Sequence, residues 1–173
     1  EGTFMQDKEP HFYIYRQVKD GNEYIGLIGA VSVKDYLEGR IKKHEKTLTA
    51  REKMFTDYLE TTGFNAEPVL LTYQDDLKIN QLFARYIETR SEYEFTSTDK
   101  VLHQLWLIDV KEDLELIEKR FSQQKALYIA DGHHRSASSA ALHQRLLKKN
   151  ISKEHDAYFM AFLIGEGQMK VYE

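Results

Sequence analysis

The chain has 173 residues, a formal net charge of −4, an isoelectric point near 6.0 and no cysteine. A chain of this length usually forms one domain, and the missing cysteines exclude disulfides, thiolate metal ligands and a cysteine nucleophile, which favours a cytoplasmic location. The negative charge and the lack of a long apolar run predict no specific nucleic-acid partner and no membrane span.

The first predicted element is a β-hairpin. Residues 12–17 (FYIYRQ) and 24–33 (YIGLIGAVSV) are rich in aromatic and β-branched side chains. The turn residues Asp20-Gly21-Asn22 separate them. This pattern predicts an antiparallel hairpin near the N-terminus.

A helix is predicted directly after the hairpin. Ser32 followed three residues later by Asp35 resembles a helix-start box. Val33, Leu37 and Ile41 then recur at helical spacing. This spacing predicts a helix that begins near Val33 and includes Ile41.

Helices and strands alternate over the rest of the chain. A second capping box, Thr49 with Glu52, predicts a helix that ends at Gly63. The later elements are a strand at 69–73, a helix after residues 75–76, a strand at 101–110, a helix over 114–121, a strand at 126–130, a helix after residue 132 and a strand at 158–164. This order predicts an α/β (α+β) fold, with a mixed β-sheet and flanking helices.

We expect residues 1–173 to form a single domain. The chain opens on Glu1 rather than on Met, and it stops within a strand-like segment. We therefore expect it to be a fragment of a longer chain.

Polar residues concentrate where the strand at 126–130 meets the next helix. Gly132 allows the backbone to turn, so the first free N–H groups of the helix should fall near residues 134–136. These amides and the helix dipole favour an anion, and Arg135 can add a bidentate fork that matches phosphate. Asp131 can hold a divalent cation or orient a histidine. The alternative is an ordinary turn in which Asp131 caps the helix.

Residues 40–47 (RIKKHEKT) form a second cluster. Its simplest interpretation is a solvated basic helix face. If the preceding helix extends this far, however, Glu45 lies on its apolar stripe, where desolvation suits a carboxylate to act as a general base. Arg40 and His44 would share a different face and reach a phosphate.

Four sequence motifs carry a family resemblance: YIYRQ (13–17), GRIKKHEKT (39–47), PVLLTY (68–73) and IADGHHRS (129–136). With these motifs in this order, the chain resembles the bacterial and archaeal family known as domain of unknown function 1015. Members of that family are longer at both ends. The DGHHR motif is also similar to the motif that binds nucleotide phosphates in the ParB and sulfiredoxin-like superfamily. Free-serine kinases of that superfamily combine such a turn with a Glu base that acts on a small-molecule hydroxyl.

This second resemblance implies a nucleotide site with a base beside it. Glu45 would be the catalytic base, and Asp131 would contribute to catalysis by holding Mg²⁺. The nucleotide, ATP or ADP, would be bound by residues at the turn and in the second cluster: Gly132, His133, His134, Arg135, Ser136, Arg40 and His44.

The predicted function is therefore a nucleotide-binding protein that phosphorylates a small, serine-like hydroxyl compound. Two alternatives remain open at this point. One is a non-catalytic nucleotide-binding switch module, and the other is a phosphohydrolase with a metal at Asp131 and one of the histidines.

Overall fold

A computed structural model of the protein describes residues 7–45 and 47–169. The strands in this part of the chain are β1 (Phe12–Lys19), β2 (Asn22–Ser32), β3 (Ile41–Lys42), β4 (Val69–Tyr73), β5 (Tyr93–Thr96), β6 (Leu102–Ile108), β7 (Leu127–Asp131) and β8 (Tyr158–Gly165). The α-helices are α1 (Val33–Leu37), α2 (Thr49–Thr62), α3 (Leu77–Ile87), α4 (Lys111–Ser122) and α5 (His133–Lys148), and two short 3₁₀ turns span Glu154–Ala157 and Glu166–Gln168.

All eight of these strands join one mixed sheet in the order β3-β7-β4-β8-β2-β1-β6-β5. The predicted mixed α/β fold is confirmed, and so is the hairpin, because β1 pairs antiparallel with β2. Asp20 and Gly21 both have positive φ, 50° and 74°, which suits a tight two-residue hairpin turn. No sequence pattern predicted β5, whose four residues are all exposed at the sheet edge.

The pairing of β7 fixes which loops meet at one end of the sheet. β3 runs parallel to β7, with Ile41 opposite Leu127, so the segments after both strands emerge at the same end. β4 runs antiparallel to β7, with Leu70 opposite Asp131. The segment that enters β4 therefore lies at this end too. This arrangement places Glu67 near the turn that follows β7.

The helix after the hairpin is shorter than predicted and ends well before Glu45. α1 ends at Leu37, and Gly39 follows in the left-handed conformation with φ +77°. Glycine adopts this conformation without strain, and it stops a helix. Ile41 is buried because it pairs with β7 and not because it lies on a helical stripe. The extension to Glu45 is therefore wrong.

The boundaries of α2 match the prediction, but the cap does not. The helix begins after Leu48, which forms no side-chain cap, and it ends at Gly63 with φ +73°. Thr47 rather than Thr49 makes the hydroxyl contact, with its Oγ1 donating to Glu52 at 3.0 Å.

One hydrophobic core joins the sheet to the helices. Its fully buried members include Ile14, Leu71, Ile79, Ile117 and Ile129. α3 and α4 pack together, and α2 packs along α5. Within the described ranges, no helix combines the length and the apolarity that a membrane span requires.

Candidate functional site

α2 and α5 lie side by side and run in the same direction. Ser138, the sixth residue of α5, donates to the carbonyl of Glu52, the fourth residue of α2, at 3.1 Å. Lys149, just after α5, donates to Glu60 near the end of α2 at 2.7 Å. At about 1.5 Å per residue, the two helix starts are level to within about one turn. Both helix dipoles therefore direct their positive ends to one place.

Neither helix start has a side-chain cap. The N-cap residues are Gly132 for α5 and Leu48 for α2, and neither contributes a side-chain hydrogen bond. Gly132 has φ +95°, a conformation that favours glycine. The first-turn N–H groups of a helix need partners from outside the helix. The adjacent starts of α2 and α5 thus form a location suited to an anion.

Residues of the second cluster reach the start of α5 from β3. The His44 ring lies edge-on to the His133 ring, with centroids 4.3 Å apart. The His44 backbone N–H points at His133 Nε2 at 3.5 Å. The Glu45 carboxylate lies 3.8 Å from His133 Nδ1. The structure therefore brings together three of the residues that the sequence singled out.

His133 is only 6% exposed, and its surroundings favour the neutral ring. Burial lowers the pKa of His133 below its ordinary value, and neighbouring His44 lowers it further, against the opposing effect of Glu45. Since Nε2 faces a backbone donor, a neutral ring carries its proton on Nδ1, toward Glu45.

Glu45 differs from its predicted environment. Its side chain is 64% exposed in the segment after β3 and does not lie on an apolar helix stripe. The prediction of a desolvated carboxylate is wrong because α1 ends eight residues earlier, at Leu37. Its position beside His133 is a consequence of the parallel pairing between β3 and β7.

Arg135 joins the turn to the segment before β4. Its Nη2 donates to Asp131 at 2.5 Å, and its Nη1 donates to Glu67 at 2.6 Å. Asp131 therefore pairs with Arg135, and Gly132 occupies the cap position that one interpretation gave to Asp131. The Arg135 Nε atom is buried without a hydrogen-bond partner among the described residues.

His134 and Ser136 take different positions from the exposed turn. His134 lies one turn before Ser138 on the α5 face that contacts α2, and its Nδ1 is buried without a partner in the described part of the chain. Ser136 is fully buried, and its hydroxyl donates to the carbonyls of Gly132 and His133. Ser136 thus holds the first turn of α5 together.

Arg40 lies away from these residues. Its carbonyl accepts from Leu127 at the amino end of β7, and its guanidinium bonds Asp35 and the Ser122 carbonyl. The site lies after the carboxyl end of β7, about 16 Å away along a five-residue strand. The prediction that Arg40 and His44 share a helix face is wrong because the backbone between them is extended.

A cavity beside Arg135 completes the site, and the sequence did not reveal it. Its volume is about 300 Å³, and residues from α2, the following loop and α5 line it: Phe55, Tyr58, Leu59, Asn65, Ala66, Glu67 and Arg135. Met54, Phe55, Tyr58 and Leu59 recur at helical spacing on α2, and such an apolar stripe predicts burial. Tyr58 is nevertheless 46% exposed, because part of the stripe faces this cavity.

The residues do not form a protein-only metal cage. Across residues 7–45 and 47–169, no three His, Asp or Glu side chains come together closely enough to hold a metal ion. A divalent cation here would need ligands from a bound molecule as well.

Comparison with known proteins gives one match. No curated protein and no solved structure matches the chain. A family model described as "Protein of unknown function (DUF1015)" matches residues 1–173. This match confirms the resemblance to that family that the four sequence motifs indicated. The likeness of DGHHR to ParB-type motifs stays a prediction. Because the match spans the whole sequence, the chain belongs to the DUF1015 family.

Proposed function

We propose that the protein binds ATP or ADP across the start of α5 and transfers a phosphoryl group to a small hydroxyl compound. The observation that carries this proposal is the pair of parallel, uncapped helix starts of α2 and α5. Two helix N-termini at one place favour polyphosphate more than one does, because their N–H groups and dipoles act on the same charge.

The charges around the site favour a magnesium–nucleotide complex over a bare nucleotide. The carboxylates of Asp131 and Glu67 pair with one guanidinium, that of Arg135, and a third carboxylate, that of Glu45, lies beside His133 on the other side of the helix start. A bare polyphosphate would be repelled by this excess of negative charge. Mg²⁺ usually binds through one or two carboxylates together with substrate phosphates, and the exposed Asp131 carboxylate fits that role.

Phosphoryl transfer needs positioning and charge neutralisation more than covalent chemistry. The acceptor hydroxyl oxygen forms a bond to the terminal phosphorus while the bond to the bridging oxygen breaks, so ATP leaves as ADP. Glu45 accepts the hydroxyl proton. Its position 3.8 Å from the protonated Nδ1 side of His133 keeps the carboxylate at the edge of the phosphate site.

A non-catalytic nucleotide-binding module is the second candidate. The observation that favours it is the 64% exposure of the Glu45 side chain, since a catalytic site usually keeps water away from its reacting groups. The two candidates share the phosphate site and differ only in turnover.

Binding is tested by calorimetry with ATP and ADP, with and without Mg²⁺. Arg135→Ala should weaken binding by about 1.5–3 kcal/mol, the usual worth of a hydrogen bond to a charged group. Arg145→Ala is the matched control, because Arg145 lies on the same helix and pairs with Asp57 and Glu60 of α2. Equal affinity for wild type and Arg135→Ala would contradict the phosphate site.

Catalysis is tested by ADP release from ATP in the presence of a panel of small hydroxyl compounds. Glu45→Gln removes the proton acceptor and should lower turnover by about 10²–10⁴-fold while nucleotide affinity is kept. Glu38→Gln is the control, because Glu38 is an exposed carboxylate in the segment between α1 and β3. If no compound stimulates turnover in the wild type although nucleotide binds, the non-catalytic module is the better description.

A further inference from the structure

The first turn of α5 lies between two different groups of neighbouring residues. Successive helical residues are about 100° apart, so His133 and Arg135 point to nearly opposite sides of the helix start. His133 contacts His44 and Glu45, whereas Arg135 contacts Glu67 and lines the cavity against α2. A ligand that binds the free amides between them has a different environment at each end.

The cavity on the Arg135 side has the features of a small-ligand pocket. Phe55 and Leu59 give it apolar and aromatic walls, and Asn65 and Glu67 supply polar groups. Its volume of about 300 Å³ lies at the lower end of the range for small-molecule sites. Such a space is large enough for one planar ring system and too small for a polymer.

We propose that this cavity holds the base of the nucleotide, so that the nucleotide lies across the start of α5 with its terminal phosphate on the Glu45 side. This inference rests on the proposed function. An aromatic base is the occupant that fits best, because its faces pack on Phe55 and Tyr58 while its ring nitrogens and amino groups find the Asn65 amide and the Glu67 carboxylate.

The acceptor compound fits this cavity poorly. Its hydroxyl must lie next to Glu45 to lose its proton, and Glu45 is on the His133 side of the helix. The orientation therefore assigns the cavity to the base and the His44–Glu45 side to the acceptor.

The experiment compares magnesium–ATP with magnesium–tripolyphosphate, which has the phosphates but no base. Ala66 is exposed and lines the cavity, so Ala66→Trp fills the space without entering the core. It should weaken ATP binding about tenfold or more, as loss of base stacking does, and leave tripolyphosphate affinity unchanged. Tyr58→Ala, which removes a wall, should have the same selective effect. Gln81→Trp, on the exposed face of α3, is the control and should change neither affinity.

The outcomes separate this inference from the proposed function. If tripolyphosphate binds and ATP affinity is unchanged in Ala66→Trp and Tyr58→Ala, the phosphate site stands and the base assignment is overturned. If Arg135→Ala weakens both ligands while the cavity variants weaken ATP alone, both proposals are supported. If the wild type binds neither ligand, the proposed function fails and the base site fails with it.

Discussion

Replacing Gly132 with alanine tests the turn that positions the phosphate site. Gly132 has φ +95°, so a side chain at this position is strained whatever the available space. A Cβ atom here would also lie 2.9 Å from Arg135 Nε and 3.0 Å from Nη2. The guanidinium must therefore move away from the position in which it bonds Asp131 and Glu67.

The expected magnitudes follow from these two effects. Left-handed backbone costs a non-glycine residue about 1–2 kcal/mol, which lowers the melting temperature of a domain of this size by about 2–8 °C. The exposed ion pairs of Arg135 add little to this loss. Nucleotide affinity should fall by about tenfold or more, because the displaced guanidinium loses a charge-assisted bond to phosphate.

Gly21→Ala is the matched control. Gly21 has φ +74° in the β1–β2 turn, and a Cβ atom there meets nothing within 4 Å. Both variants should lose similar stability in a thermal melt, and only Gly132→Ala should lose affinity in calorimetry. Unchanged nucleotide affinity in a folded Gly132→Ala protein would refute the argument that this turn sets the Arg135 position.

The remaining predictions concern two titratable groups, His133 and Asp76. Because burial, and then His44, lowers the folded-state pKa of His133, the unfolded chain binds its proton more readily, so stability should decrease as pH falls through about 6.5. A bound phosphate favours the protonated His133 ring, so nucleotide binding below that pH should take up a proton. Calorimetry in buffers of different ionisation enthalpy measures this uptake, and a binding enthalpy that does not depend on the buffer would contradict it. For Asp76, burial raises the pKa, but bonds from Arg120 and from the first amides of α3 outweigh burial and hold that pKa below its usual range. The protein should therefore lose stability below about pH 4. Asp76→Asn should lower the free energy of unfolding in urea by about 3 kcal/mol, as breaking a buried ion pair does, and a loss under about 1 kcal/mol would argue against this ion pair.

The parts of the fold that local signals specify could be predicted from the sequence. The Asp20-Gly21 turn and its flanking strands form the expected hairpin. Gly132 follows β7 and precedes α5 as expected, because glycine between an apolar run and helix-forming residues marks both boundaries. These signals act over a few residues and do not depend on distant partners.

The position of Glu45 could not be predicted in this way. The spacing of Val33, Leu37 and Ile41 fits a helix, but Gly39 ends α1 and Ile41 pairs with Leu127. That pairing joins residues 86 positions apart in the sequence. A local pattern contains no information about it, although it is what brings Glu45 to His133.

The parallel arrangement of α2 and α5 is also a long-range result. Each helix start could be predicted separately, and only their contact, such as that between Ser138 and Glu52, shows that the two starts are level. The cavity depends on the same packing, since residues of α2 and Arg135 of α5 line it together. The site is thus a property of the packing of two helices.

The ion pairs of Arg135 bear on how such a site would bind a nucleotide. Its guanidinium already bonds Asp131 and Glu67, so a bare phosphate must compete with two carboxylates for one cation. In the proposed site a magnesium–nucleotide complex would remove this competition, because Asp131 would hold Mg²⁺ and Arg135 would be free to bond the phosphate. Each charge would then keep a partner of opposite sign. The proposed dependence on Mg²⁺ would therefore follow from the ion pairs at the start of α5, without a preformed cage of protein ligands.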